Sequence, residues 1–220
     1  LTEEVLADAE AAATRGAELI AEAAARAITE RGSFSLAVSG GRAPWRMFEL
    51  LGEHPIDWHA VEVFQADERI APAGDPDRNL THLLTSLPDE ALARVRPMPV
   101  TDHDLEAAAQ RYEAELPATL DLVHLGLGPD GHTASLIPGD PVLEVTDRLV
   151  AITGEYQGRR RMTLTYPALN SARQILWLVT GDDKVEPLAK LRTGDTSIPA
   201  GRVHAGEMTL LADREASSDR

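Results

Sequence analysis

The stretch Leu122-Val-His-Leu-Gly-Leu-Gly-Pro-Asp-Gly-His-Thr133 runs from an apolar segment straight into a glycine-rich turn. Residues 122–127 are short, mostly apolar and free of carboxylates and ammonium groups. That pattern fits a strand buried on both faces, which Gly128, Pro129 and Gly131 then terminate. Working outward, comparable strand patterns lie at 34–38, 61–66, 149–153, 162–165, 175–180 and 208–211. Helical spacing separates them. Residues 3–31 are rich in Ala, with Thr2 as the N-cap and Gly32 as the stop. Further helices are read at 44–51, which has Pro at its first turn, and at 80–86, 105–115 (capped by Asp102) and 183–191. Strands alternating with helices predict an α/β fold: a doubly wound, mostly parallel sheet of Rossmann-like type with helices on both faces. No internal repeat or Ser/Gly/Pro-rich linker divides the chain. Residues 1–214 therefore read as one domain, and 215–220 as a polar tail that frays.

In such sheets, ligands bind beyond the carboxyl ends of the strands. Three motifs fall there: Ser39-Gly40-Gly41, Asp67-Glu68-Arg69 and Asp130-Gly131-His132. Ser39, Gly40, Gly41 and Arg42 lie between a strand and a helix. Two glycines let backbone approach a ligand, and the first helical N–H groups have no internal partner, so the loop reads either as an anion cradle or as a plain tight turn. A histidine can take a proton from water at neutral pH, which suits His132 to act as a base, with Asp130 two residues away to orient the ring. Asp67, Glu68 and Arg69 read on their own as a solvated charge cluster. Arg161, beside Arg159 and Arg160, and Lys184 read on their own as surface cations. The remaining histidines (His54, His59, His82, His103, His124 and His204) show no ligand spacing with His132, so no metal site is expected.

Composition narrows the function classes. The 220 residues are 43% hydrophobic, which is globular composition, and carry a formal net charge of −15. That charge opposes nucleic-acid binding. It also requires any phosphate site to be a local cluster of cations and backbone N–H groups. No apolar run reaches the roughly 18 residues of a membrane span. The acidic opening Thr2-Glu3-Glu4 is unlike a secretory leader, and there is no cysteine, so a cytoplasmic protein is the simplest reading.

Four segments resemble the 6-phosphogluconolactonase family in order and approximate spacing: Leu-Ala-Val-Ser-Gly-Gly at 36–41, Asp-Glu-Arg at 67–69, Leu-Gly-Leu-Gly-Pro-Asp-Gly-His-Thr-Ala-Ser-Leu at 125–136, and Arg161-Met-Thr-Leu-Thr. The resemblance runs from about Leu6 to Leu211. It implies hydrolysis of 6-phospho-D-glucono-1,5-lactone to 6-phosphogluconate in the oxidative pentose phosphate pathway, without a cofactor. It further implies that Ser39, Gly40, Gly41 and Arg42 hold the substrate phosphate, with Arg161 and Lys184 near it and Arg69 facing the substrate. Asp67 and Asp130 match acidic site positions, and His132 matches the general base. Separately, a monomer or small homo-oligomer is expected. Two positions depart from the family: Ala43 stands where a Thr usually precedes the proline, and Gln65 where an aromatic residue is frequent.

Two alternatives are weighed against this. The related glucosamine-6-phosphate deaminase/isomerase family shares the Asp-Gly-His segment, but follows the histidine with an apolar residue and, five positions on, a glutamate. This chain has Thr133 and Ile137 at those places. The other alternative is a non-catalytic sugar-phosphate-binding module, such as the effector domains attached to DNA-binding segments. No helix-turn-helix pattern precedes the domain.

Overall fold

The alternation of apolar residues along the central strands decides how the layers assemble. In the computed structural model, which describes residues 1–218, ten strands and seven helices follow the chain. Strand β1 (Thr2–Leu6) precedes helix α1 (Ala9–Arg31), β2 (Phe34–Val38), α2 (Arg42–Leu51), β3 (Val61–Gln65), β4 (Asp67–Arg69) and α3 (Asn79–Ser86). Next come α4 (Asp89–Leu92), β5 (Val95–Arg96), α5 (Leu105–Glu115), β6 (Leu122–Leu125), β7 (Val150–Ile152) and β8 (Arg161–Leu164). The chain finishes with α6 (Tyr166–Asn170), β9 (Gln174–Val179), α7 (Val185–Arg192) and β10 (Glu207–Asp213).

Seven strands form one sheet in the order β1-β10-β9-β6-β2-β3-β5, every pairing parallel. Successive residues of a strand point to opposite faces. Phe34, Leu36 and Val38 of β2 thus join Leu176 and Leu178 of β9 in a core covered by α1, α2, α3 and α4. Ala37, Ile175, Trp177 and Val179 face the other way, into a core covered by α5, α6 and α7. Helices on both faces of a parallel sheet are the doubly wound arrangement expected from the sequence.

Four local expectations are corrected. Residues 2–6 are an edge strand rather than the start of a helix, because they pair with β10, and α1 is capped by Asp8, whose side chain accepts from the Ala11 N–H, not by Thr2. Gly32 does end α1, in the left-handed region at φ 79°. Asp104 caps α5 through the Ala107 N–H, while Asp102 pairs with Arg111. The strands near 150 and 162 do not join the parallel sheet: β7 and β8 pair antiparallel with each other and β8 with β4, making a separate three-stranded sheet. Finally, residues 214–217 form a turn that buries Ala216 against the core, with its N–H bonded to Asp213. The fraying expected of the tail therefore does not begin at 215, and residues 219–220 lie outside the described part.

Candidate active site

Strand β2 lies between β3 and β6. From it the chain order proceeds one way through β3 and β5, and the other way through β6, β9 and β10. The reversal opens a crevice at the carboxyl ends of β2 and β6, where open α/β sheets bind ligands. The Ser39 N–H bonds the His124 carbonyl at 3.2 Å, so the loop after β2 leaves the sheet alongside β6. At Gly40 a Cβ would overlap the Asn79 amide, and Gly41 adopts φ 146°. Both positions therefore need glycine for the loop to pass. Helix α2 starts at Arg42 with no side chain capping its N-terminus, which leaves its first N–H groups to a ligand.

The loop after β6 is closed by the Gly131 N–H to the Gly128 carbonyl at 3.0 Å and the Gly128 N–H to the His132 carbonyl at 2.8 Å. Gly131 sits at φ 82°. This turn brings Asp130 Oδ1 to 2.5 Å from His132 Nδ1 and 3.2 Å from the His132 N–H. Asp130 Oδ2 accepts a hydrogen bond from the Tyr156 hydroxyl at 3.0 Å. Partial burial pushes the Asp130 carboxyl up. The facing His132, through its charge, backbone N–H and ring, outweighs this together with Tyr156 and holds the group below its ordinary value. With Nδ1 engaged by the carboxylate, Nε2 is the nitrogen left for chemistry in the cleft.

The small sheet supplies the third wall. Asp67 and Arg69 on β4 face Thr163 and Arg161 on β8. Asp67 Oδ2 accepts from the Ser135 hydroxyl at 2.6 Å, and Arg69 Nη1 donates to the side-chain amide oxygen Oδ1 of Asn79 at 2.5 Å. The intervening Glu68 is fully buried rather than solvated. It accepts from the backbone N–H groups of Arg69, Asn79 and Leu80, from Gln65 Nε2 and from Arg78 Nε. Gln65, the second departure from the family pattern, is thus part of the scaffold under β4. Arg161 is likewise buried, against the expectation of a surface cation. Burial lowers its affinity for the proton, Asp67 opposes that, and Arg69 adds to it. Arg159 ties the β7–β8 hairpin to the loop before α3 through Asp75 (3.2 Å) and Asp77 (2.9 Å).

These walls enclose a cleft of about 330 Å³. Ser39, Gly40, Gly41, Arg42, Asp67, Arg69, His132, Arg161 and Lys184 all line it, so residues spread over 146 positions of sequence (39 to 184) meet there. Asp130 stands behind His132 instead of in the wall. Four cations on one cleft answer the problem set by the net charge of −15: the site is locally positive within an acidic protein. Lys184 also contacts Asp183 at 2.6 Å. Sequence reading missed Tyr156 and Asn79. Neither carries a motif, and only the folded hairpin and α3 bring them to Asp130 and Arg69. Among the described residues, no group of three His, Asp or Glu side chains is placed to hold a metal ion, and no helix is long and apolar enough to cross a membrane.

The family model describing glucosamine-6-phosphate isomerases and 6-phosphogluconolactonase matches residues 7–212. The chain belongs to this family. A protein of Synechocystis named 6-phosphogluconolactonase is 36% identical over 88% of this chain and 88% of its own length. One of the same name from Streptomyces coelicolor is 36% identical over 93% and 92%. The crystal structure of 6-phosphogluconolactonase from Thermotoga maritima superposes with a TM-score of 0.86 at 27% identity, covering 97% of this chain and 99% of that one. A monomeric glucosamine-6-phosphate deaminase reaches the same TM-score of 0.86 at 21% identity. The fold by itself therefore does not separate a lactonase from a deaminase.

Proposed function

We propose that this protein hydrolyses 6-phospho-D-glucono-1,5-lactone to 6-phosphogluconate, with His132 as general base. The observation that carries the reading is the Asp130–His132 pair, 2.5 Å apart, on the same cleft as an uncapped helix N-terminus and four cations. The glycine loop and the α2 N-terminus suit a phosphate dianion, with Arg42, Arg161 and Lys184 to neutralise it. Holding the phosphate fixes the lactone ring beside His132, and positioning of this kind lowers barriers by up to ~7–11 kcal/mol.

His132 Nε2 takes a proton from water as the water oxygen bonds to the lactone carbonyl carbon. Asp130 stabilises the imidazolium that forms, and general base catalysis of this type contributes ~10²–10⁴ in rate. Backbone N–H groups or Arg69 stabilise the tetrahedral oxyanion. Collapse breaks the bond from the carbonyl carbon to the ring oxygen, and His132 returns its proton to that oxygen. The new carboxylic acid ionises to the carboxylate. Asp67, already engaged by Ser135, acts by holding the wall and balancing Arg161.

The deaminase alternative loses ground at Ile137, which is buried and apolar where that reaction uses a glutamate to relay protons. The test is hydrolysis of freshly made lactone, corrected for the spontaneous rate. The wild type turns over and His132→Gln loses at least ~10²-fold in kcat. Near wild-type turnover by His132→Gln, or ammonia release from glucosamine 6-phosphate by the wild type, would overturn the proposal.

A further inference from the structure

We infer that Tyr156 is a positioning residue that holds the Asp130 carboxylate in register with His132 and seats the Arg161 guanidinium, so that one side chain sets both the base and a cation of the cleft. The inference rests on the reading of His132 as the base.

A carboxylate held through one oxygen can still rock about its Cβ–Cγ bond, and engaging both oxygens fixes it. At Asp130 both are engaged: Oδ1 faces the His132 ring and backbone N–H, and Oδ2 accepts from the Tyr156 hydroxyl. Without that hydroxyl, Oδ2 has no other hydrogen-bond donor among the described residues. The ring of Tyr156 meets the His132 imidazole edge-on, at 5.7 Å between centroids. Its face carries Arg161, whose Cζ stands 5.0 Å from the ring centroid. Among the described residues Arg161 Nε is buried without a hydrogen-bond partner, and the aromatic face joins the Asp67 carboxylate in supporting that buried charge.

Tyr156 is itself fixed. It pairs with Arg159 across a two-residue turn in which Gln157 (φ 53°) and Gly158 (φ 76°) are both left-handed, the type I′ geometry that matches strand twist. Arg159 then anchors the turn to Asp75 and Asp77. Tyr156 does not line the cleft, so it acts through Asp130 and Arg161 rather than on substrate.

The two contacts come apart by substitution. Tyr156→Phe keeps the aromatic face and loses the hydroxyl, whereas Tyr156→Leu loses both. Steady-state hydrolysis of the lactone is expected to show Tyr156→Phe lowering kcat about tenfold with KM within about twofold. Tyr156→Leu is expected to add a rise in KM of about tenfold. In an Asp130→Asn background the Phe substitution should change kcat by less than about twofold, because its route to the base is already cut. Wild-type kcat in Tyr156→Phe, or the same full loss in the Asp130→Asn background, would overturn the inference, and both readings survive a failure of Tyr156→Leu to fold. His132→Gln, assayed in parallel, separates the two levels. Its retention of turnover would remove the base reading itself, whereas an inactive His132→Gln beside a fully active Tyr156→Phe would overturn only the role of Tyr156.

Discussion

Gly128 lies directly beneath the imidazole of His132: a Cβ built on Gly128 would occupy the space of the ring at Nδ1, Cε1 and Cγ. The backbone of Gly128 is not in the left-handed region, so its conformation accepts an alanine and the nearest obstacle to the added methyl is the histidine ring. Gly128→Ala should therefore displace the ring from Asp130 while leaving the fold intact. A shift of about 1 Å at a reacting group costs on the order of 10²-fold in rate. We expect kcat to fall by about that factor, with a thermal midpoint close to wild type. The check is kcat measured alongside a thermal melt.

Glu68 is a buried carboxylate whose five donors include Arg78, itself 4% exposed. It closes the N-terminus of α3 and fixes β4, which carries Asp67 and Arg69. Removing one partner of a buried ion pair leaves the other charge uncompensated, at a cost of about 3–5 kcal/mol. Glu68→Ala should lower stability by that order in urea unfolding, an effect far beyond a surface carboxylate. Loss of less than about 1 kcal/mol would show that the pair is effectively solvated.

His124 on β6 is fully buried, with neither ring nitrogen hydrogen-bonded among the described residues and Phe48 against it edge-on. Burial pushes its pKa down to about 3. The folded value is thus depressed below the unfolded value near 6.5, so the unfolded chain binds the proton first. Its contribution is fully present above about pH 6.5 and is lost as pH falls from there toward about 3, at roughly 1.4 kcal/mol per pH unit. His124→Leu should lack this component. Between pH 7 and pH 4 the difference in urea midpoint should shift in favour of His124→Leu as pH falls, and parallel curves would disprove the assignment.

Gln157 holds a left-handed conformation at the tip of the β7–β8 hairpin. A non-glycine residue there costs roughly 1–2 kcal/mol, and Asn-Gly is the preferred pair for a type I′ turn. Gln157→Asn is expected to stabilise by about 0.5–1 kcal/mol without changing KM or kcat, seen as a raised thermal midpoint.

Some of this was readable from composition and spacing, and some was not. The strands at 34–38 and 61–65, the stop at Gly32 and the glycine loops follow from local rules: apolar period, broken helix, positive φ. Residues 2–6 misled because Thr2 followed by two glutamates and two apolar residues suits a capped helix start as well as an edge strand, and only β10 supplies the partner that decides it. Asp67-Glu68-Arg69 looked like a solvated cluster because charge in sequence does not show its counterpart. Arg78 and the α3 N-terminus turn Glu68 inward.

The sequence by itself determined the doubly wound class and the three rim motifs, because periodicity and glycine chemistry act over a few residues. Tertiary structure alone decided that β4, β7 and β8 leave the main sheet, that Arg161 is buried against Tyr156, and that Tyr156 braces Asp130. The Tyr156–Asp130 and β4–β8 contacts join positions 26 to 96 residues apart (Asp130 to Tyr156, Asp67 to Thr163), and no local pattern encodes a partner at that distance. They exist because packing two layers against one sheet brings the strand ends together.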